Sequence, residues 1–433
     1  MHKSIWHKQC ELPEFKKLQE DIKTDVLIIG GGISGILCAY FLEKQGISYV
    51  LAEGSSIASG ITKNTTAKLT LGHGLIYDTL INKFGEEKAQ MYLRANADAL
   101  AEYEKLCKNT DCDFEKKDSY IYSLKSESKI HNEVLALNRL GFNAEFIKEC
   151  ELPFKIKGAV KIPLQAQFNP LKFVCKISEN LNIYENCFIS EIKGTTAYAQ
   201  NFRIEAQKII IATHFPFLNS RGSYFLKMYQ HRSYVSAYKN AAELRGMYVD
   251  EELGGLSFRN YGKYLLIGGG GHRTGKSSTA WEQAGQIAKK HYPKAELCCS
   301  WAAQDCITLD AVPYIGNYSK NTPNLFVITG FNKWGFTSSM AGAKILCDMV
   351  QEKKNPYAEV FSPQRSILEQ QLFVNGFEAA VNLLTPGLKR CPHLGCTLKW
   401  NKYEHSWDCP CHGSRFERGG KLIDNPATKD ARI

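Results

Sequence analysis

No apolar run in this sequence is long enough to form a membrane-spanning helix. The best candidate, Val26 to Leu42, is rich in glycine and bounded by Asp25 and Glu43. It falls short of the ~20 residues that a bilayer core requires. The opening stretch, MHKSIWHKQCELPEFKKLQED, has neither an apolar centre nor a twin arginine. No export signal is therefore expected, and the expected compartment is the cytoplasm. Internal repeats and low-complexity tracts are missing as well. So are the signatures of nucleic-acid-binding modules, which leaves the net charge of +10 as a source of solubility and anion steering.

What is present is an ordinary globular composition, 44% hydrophobic and 23% charged, in a chain too long for one compact core. Two or three domains are expected. Of the fifteen cysteines, Cys38, Cys107, Cys175 and Cys347 are scattered and read as reduced, inert thiols. Cys298 and Cys299 are adjacent and match no metal spacing.

Asp25–Ile29 reads as a buried parallel strand, Gly30–Gly35 as the turn after it, Ile36–Gln45 as a helix and Ser48–Ala52 as a second strand. Helix is expected between about 75 and 108, strands at 119–124, 208–212, 264–267 and 324–329, and a helix at 338–351. Alternation of this kind predicts an α/β architecture. AAVNLL, within 376–390, fits helix or strand.

GGGISG places glycines at 30, 32 and 35, after a strand, at the start of a helix, with Glu53 closing the next strand. That context is what a dinucleotide fold requires. Gly30 permits the tight turn, Gly32 lets a pyrophosphate approach the backbone, and Gly35 lets helix and strand pack closely. The helix N-terminus attracts phosphate charge, and Glu53 accepts from ribose hydroxyls.

Near the other end, Cys391-x-His393 is followed by Cys409-x-x-His412. Two thiolates and two imidazoles on paired loops can hold zinc or a two-iron cluster. Zinc knuckles usually space two cysteines by two to four residues, and here each knuckle has one cysteine and one histidine.

Both sets resemble known families. GGGISG with Glu53, KIIIAT at 208–213, YLLIGGGGHRTG at 264–275, DAVPYIG at 310–316 and GFNKWGFT at 330–337 resemble the D-amino-acid oxidase and glycine oxidase flavoproteins. That resemblance implies a Rossmann-like FAD domain interleaved with a sheet-based substrate domain. It implies FAD contacts at Gly30, Gly32, Gly35, Glu53, Gly330, Gly335, Phe336 and Thr337, with Thr65, Thr66 and Lys68 as further contacts. Where those enzymes bind a substrate carboxylate through arginine, this chain has WAAQDC at 301–306. Arg232, Arg259 and Arg273 are candidate substitutes. His73, His231 and His272 lie near motifs that face the flavin in relatives, and His73 and His272 with Arg259 are the catalytic candidates.

The tail resembles Rieske [2Fe–2S] proteins, which implies that Cys391 and Cys409 bind one iron, that His393 and His412 bind the other, and that Cys396 and Cys411 form a disulfide between the knuckles. Histidine ligation leaves the oxidised core neutral and raises the potential to about −150 to +300 mV. Phe416 stands where high-potential relatives often have tyrosine, which implies a value in the lower half of that range. The implied domains are a lead at 1–20, an oxidoreductase domain at 21–360, a linker at 361–388 and a short, all-β cluster domain at 389–433. Within the oxidoreductase domain, FAD-binding segments are expected at 21–80, 155–215 and 300–355, and substrate-domain segments at 81–154 and 216–299.

Together the two halves resemble bacterial FAD-dependent oxidoreductases with a C-terminal Rieske domain. The resemblance implies that electrons run from a small-molecule substrate, such as an amine, through FAD and the cluster to a carrier or quinone, or the reverse. An electron-transfer or redox-sensing module without its own substrate is the alternative reading. A Rieske oxygenase fits less well, because it needs a two-histidine, one-carboxylate iron site that the sequence does not cluster.

Overall fold

The computed structural model describes residues 3–433 except 220, 277–278, 367–369 and 386. Residues 367–369 and 386, within the expected linker at 361–388, lie outside the described residues.

The first sheet has eight strands. Its spine runs Tyr314–Asn317, Leu325–Thr329, Phe202–Ile211, Ile22–Ile29, Tyr49–Ala52 and Ile183–Tyr184. The strand Ile22–Ile29 pairs in parallel with both of its neighbours. Its second half is buried throughout, which explains a continuous apolar run rather than an alternating one. The helices Ile33–Lys44 and Gly335–Val350 pack against each other. Helix was expected between about 75 and 108. It is divided into Tyr77–Phe84 and Glu86–Cys107 by Gly85, whose φ of 82° is left-handed.

The second sheet has nine strands, ordered Glu296–Thr308, Met228–Lys239, Tyr264–Arg273, Ser257–Tyr261, Met247–Asp250, Glu115–Ser123, Gly158–Gln167 and Lys68–Leu69, with Glu145–Ile147 beside Gly158–Gln167. Strands 158–167 and 296–308, which overlap the segments expected at 155–215 and 300–355, pair in this sheet.

A small antiparallel sheet closes the chain: Lys399–Asn401, Ser406–Asp408, Arg415–Phe416 and Leu422–Asp424. Its own core contains Leu398, Phe416 and the four tail cysteines. AAVNLL falls in the helix Gln370–Leu384. That helix end belongs with the tail, because the Thr397 amide donates to the Asn382 carbonyl.

Candidate active site and cluster site

At the end of the first strand, Gly30 has φ +109°, and a Cβ there would lie 2.6 Å from the Ala212 carbonyl oxygen. A Cβ on Gly35 would lie 1.9 Å from the Gly30 oxygen, so Gly35 serves packing. Gly32 differs: its Cβ would meet only Thr62 Oγ1, at 3.6 Å. The protein does not need glycine at 32, but a ligand approaching the backbone does. The helix that starts at Ile33 has no cap from its own N-cap residue and no acidic residue in its first turn. Thr62 Oγ1 accepts from the Ile33 amide at 3.0 Å, and Ser34 lines the cavity, so the amides after Ile33 can receive an anion. Glu53 is half-buried, and the loss of solvent pushes its carboxyl up. Its oxygens accept from the amides of Gly31 at 2.6 Å and Ser55 at 2.8 Å.

These groups open onto a cavity of about 430 Å³ lined by Gly30, Gly32, Glu53, Thr65, Gly335 and Phe336. The donor set and the glycine cradle fit a dinucleotide cofactor. Gly330 and Thr337, expected as contacts, do not line it. A Cβ on Gly330 would lie 2.4 Å from Thr308 Cγ2, so packing requires glycine there. Thr337 is buried with its hydroxyl 3.0 Å from His73 Nε2.

A second cavity of about 350 Å³ shares Thr65, Asp305, Lys333, Gly335 and Phe336 with the first, and adds Thr66, Lys68 and His73. His73 is buried and held at both ring nitrogens. Nε2 donates to the Thr70 carbonyl at 2.9 Å, and Nδ1 accepts from Tyr92 OH at 2.6 Å. Burial pushes it down to about 3, so it is neutral, and neither nitrogen is free to take a substrate proton. Among the described residues no arginine lines this cavity. Arg259 is buried and donates to the carbonyls of Thr66 at 2.6 Å and Ala67 at 2.7 Å, bracing the loop that carries Lys68. His272 is also absent from the lining: it donates to the Arg273 carbonyl at 2.8 Å and meets Tyr234 OH at 3.1 Å.

Among the ionisable groups lining the cavity, Lys68 and His73 were singled out in the sequence, whereas Asp305, Lys333, Asp250, Glu251 and Glu252 were not. Burial pushes Lys333 down to about 8 and Asp305 up to about 6, each opposed by the other's charge. Burial and neighbouring Arg259 push Lys68 down to about 7. Lys333 and Asp305 lie inside the quoted GFNKWGFT and WAAQDC, where a charge amid mostly uncharged residues was the available signal.

The tail brings its four expected ligands together. The thiols of Cys391 and Cys409 hydrogen-bond to each other. His393 Nδ1 and His412 Nδ1 lie 3.3 Å apart. Burial pushes the two imidazoles down to about 4 and about 3, which leaves them neutral, as metal ligands must be. Cys396 and Cys411 form a disulfide. Cys409 Sγ lies within 4.8 Å of both disulfide sulfurs, but bonded sulfurs do not compete as thiolate ligands. Two thiols and two inward Nδ1 atoms fit a cluster with mixed cysteine and histidine ligation.

Residues 25–349 match the family described as FAD dependent oxidoreductase, and residues 366–433 match the Rieske [2Fe-2S] domain. The chain belongs to the FAD-dependent oxidoreductase family. It carries a Rieske domain and, with it, both cofactor types. A Bacillus subtilis (strain 168) protein, YhfW, described as a Rieske 2Fe-2S iron-sulfur protein, is 34% identical over 98% of this chain and 96% of its own length. The cytochrome b6-f complex iron-sulfur subunit 1 of Nostoc sp. is 49% identical over 43 residues, 10% of this chain and 24% of that subunit. Glycine oxidase from Geobacillus kaustophilus and L-proline dehydrogenase from P. horikoshii share the fold. Each covers 80% of this chain with a TM-score of 0.67, at 19% and 16% identity, and the matches span 100% and 98% of those chains. No helix among the described residues is long and apolar enough to cross a membrane.

The flavoprotein body grips the Rieske domain closely. Gln230 Nε2 donates to the carbonyls of His412 at 2.8 Å and Asn425 at 2.9 Å, and Gln304 Nε2 to that of Gly413 at 2.9 Å. Arg273, one of the candidate substitutes for a substrate arginine, donates to the carbonyls of Pro410 and Cys411. Arg232, another candidate, pairs with Glu404. In return the Rieske segment Leu422–Asn425, with Ala427 and Thr428, forms one wall of the dinucleotide cavity. Asn425 Nδ2 donates to the carbonyls of Thr213 and Phe215.

Proposed function

We propose that this chain oxidises a small amine-type substrate in the cavity lined by Lys68, Asp305 and Lys333, and relays the electrons through the Rieske domain to an external carrier or quinone. A bound flavin supplies two-electron oxidation and stepwise release, and a Rieske cluster supplies a one-electron relay. Gly30, Gly32 and the Ile33 helix end hold the pyrophosphate, Glu53 the ribose, and Thr65, Gly335 and Phe336 the rest of the cofactor. Cys391, Cys409, His393 and His412 hold the cluster. His73, neutral and held at both nitrogens, orients the Trp334–Thr337 turn. Lys68 and Lys333 receive an anionic group of the substrate in place of arginine. Asp305, whose charge acts on Lys333, is the proton acceptor.

The observation that carries this reading is that the dinucleotide cavity has walls from both domains, so a bound flavin and the cluster site share one boundary. Glycine oxidase and L-proline dehydrogenase act, as their names say, on glycine and L-proline, which supports the substrate class. The test is anaerobic stopped-flow mixing with a panel of amines and amino acids. Bleaching of the flavin band followed by cluster reduction is expected. No bleaching by any small molecule, with fast electron exchange to a redox protein, would favour a module without its own substrate.

A further inference from the structure

We propose that Asn219 is a positioning residue for the iron–sulfur centre: it fixes the outer edge of His393 and, with the Phe225 carbonyl at His412, closes the histidine side of the cluster against the flavoprotein body. The proposal rests on the assignment of His393 and His412 as ligands.

One segment of chain, between the strand Phe202–Ile211 and the helix Tyr224–Lys227, touches both redox sites. Thr213, His214 and Phe217 line the dinucleotide cavity. Phe215 and Phe225 stand edge-on to the His412 ring, at 6.5 and 6.0 Å between centroids. Asn219 Oδ1 lies 2.7 Å from His393 Nε2. The two Nδ1 atoms face each other, so Nε2 of His393 is the outward nitrogen, and its proton is donated to Asn219. The His412 ring in turn hydrogen-bonds the Phe225 carbonyl. A histidine ligand's other nitrogen sets its tautomer and tunes the metal through the acceptor it meets. Here both acceptors come from the body, so the histidine edge is held against the flavoprotein body.

The sign of the effect follows from charge. The oxidised cluster carries one more positive charge than the reduced one, which makes Nε2–H the stronger donor in the oxidised state. A better acceptor at position 219 therefore stabilises the oxidised form and lowers the potential, and removal of the acceptor raises it.

The experiment uses the full-length protein with both cofactors and an EPR-monitored redox titration. Asn219→Asp is expected to lower the equilibrium constant for cluster reduction about tenfold, the lower end of what changing a metal ligand's hydrogen-bond partner does, and Asn219→Ala to raise it. For a one-electron couple, tenfold is about 59 mV. The EPR line shape should change in both variants while the flavin band stays as in the unaltered protein. Asp keeps the side chain's shape, so its sign decides the matter if the Ala variant does not hold the cluster. Potentials that do not move, shifts of the same sign in both variants, or loss of the cluster from the Asp variant would overturn the role of Asn219. Absence of any cluster signal from the unaltered protein would refute the ligand assignment itself.

Discussion

Glu404 is the carboxylate at the centre of the junction between the two domains, and its replacement by glutamine gives a loss that can be worked out in advance. Its oxygens accept from Arg232, from Arg415 at 3.0 Å and from Tyr234 OH at 3.1 Å, with the side chain only 10% exposed. Burial pushes this carboxyl up, but the Arg232 and Arg415 guanidinium groups overrule it and hold it at about 2, against an ordinary 4.5. At 1.36 kcal/mol per pKa unit the ionised form is favoured by about 3 kcal/mol. That agrees with the ~3–5 kcal/mol lost when one partner of a buried ion pair is removed. A carboxyl held low in the folded state stabilises it above the unfolded value and loses that effect as pH falls through the folded value. The contribution is thus complete at pH 7 and falls to roughly 1.4 kcal/mol at pH 3. Urea unfolding of the full-length protein, followed by tryptophan fluorescence, should show Glu404→Gln less stable by about 3 kcal/mol at pH 7, with the gap at least halved at pH 3. A gap below about 1 kcal/mol at pH 7, the range of an exposed pair, or an equal gap at both pH values, would refute the reasoning.

Gly35→Ala should abolish copurification of FAD, because its Cβ would fall 1.9 Å from the Gly30 oxygen; retention of a full flavin band would contradict this. Asn425→Ala removes two hydrogen bonds from the Rieske tail to the Thr213 and Phe215 carbonyls, each worth about 1 kcal/mol. FAD titration of the apoprotein should show at least a tenfold weaker Kd. Lys333 loses its charge as pH rises through about 8, so flavin reduction by a substrate with an anionic group should decline above that pH, and Lys333→Met should remove that limb of the pH–rate profile.

The parts legible in the sequence are those whose physics is local. A buried parallel strand, a glycine turn and a helix start are set by neighbouring residues, so Ile22–Lys44 can be read directly. Metal coordination also forces short spacing, which made the two cysteine–histidine knuckles visible. Sheet membership was not legible, because strands 158–167 and 296–308 carry no local mark of which sheet they join. The grip between the domains was hidden for the same reason. Gln230, Gln304 and Asn219 look like surface residues until the chain brings them to the second knuckle and to His393. WAAQDC was read as the loss of a substrate arginine, whereas Trp301 is fully buried and donates to the Asn64 carbonyl, and Gln304 serves the Rieske domain.

The most direct test of the account is to follow both centres in one anaerobic experiment, mixing the purified full-length protein with a substrate amine while recording optical and EPR spectra. The account predicts an oxidised flavin band that bleaches, followed by the EPR signal of a reduced two-iron cluster with mixed cysteine and histidine ligation. A flavin that bleaches while the cluster stays oxidised in the same molecule, or a protein that shows neither signal, would contradict it.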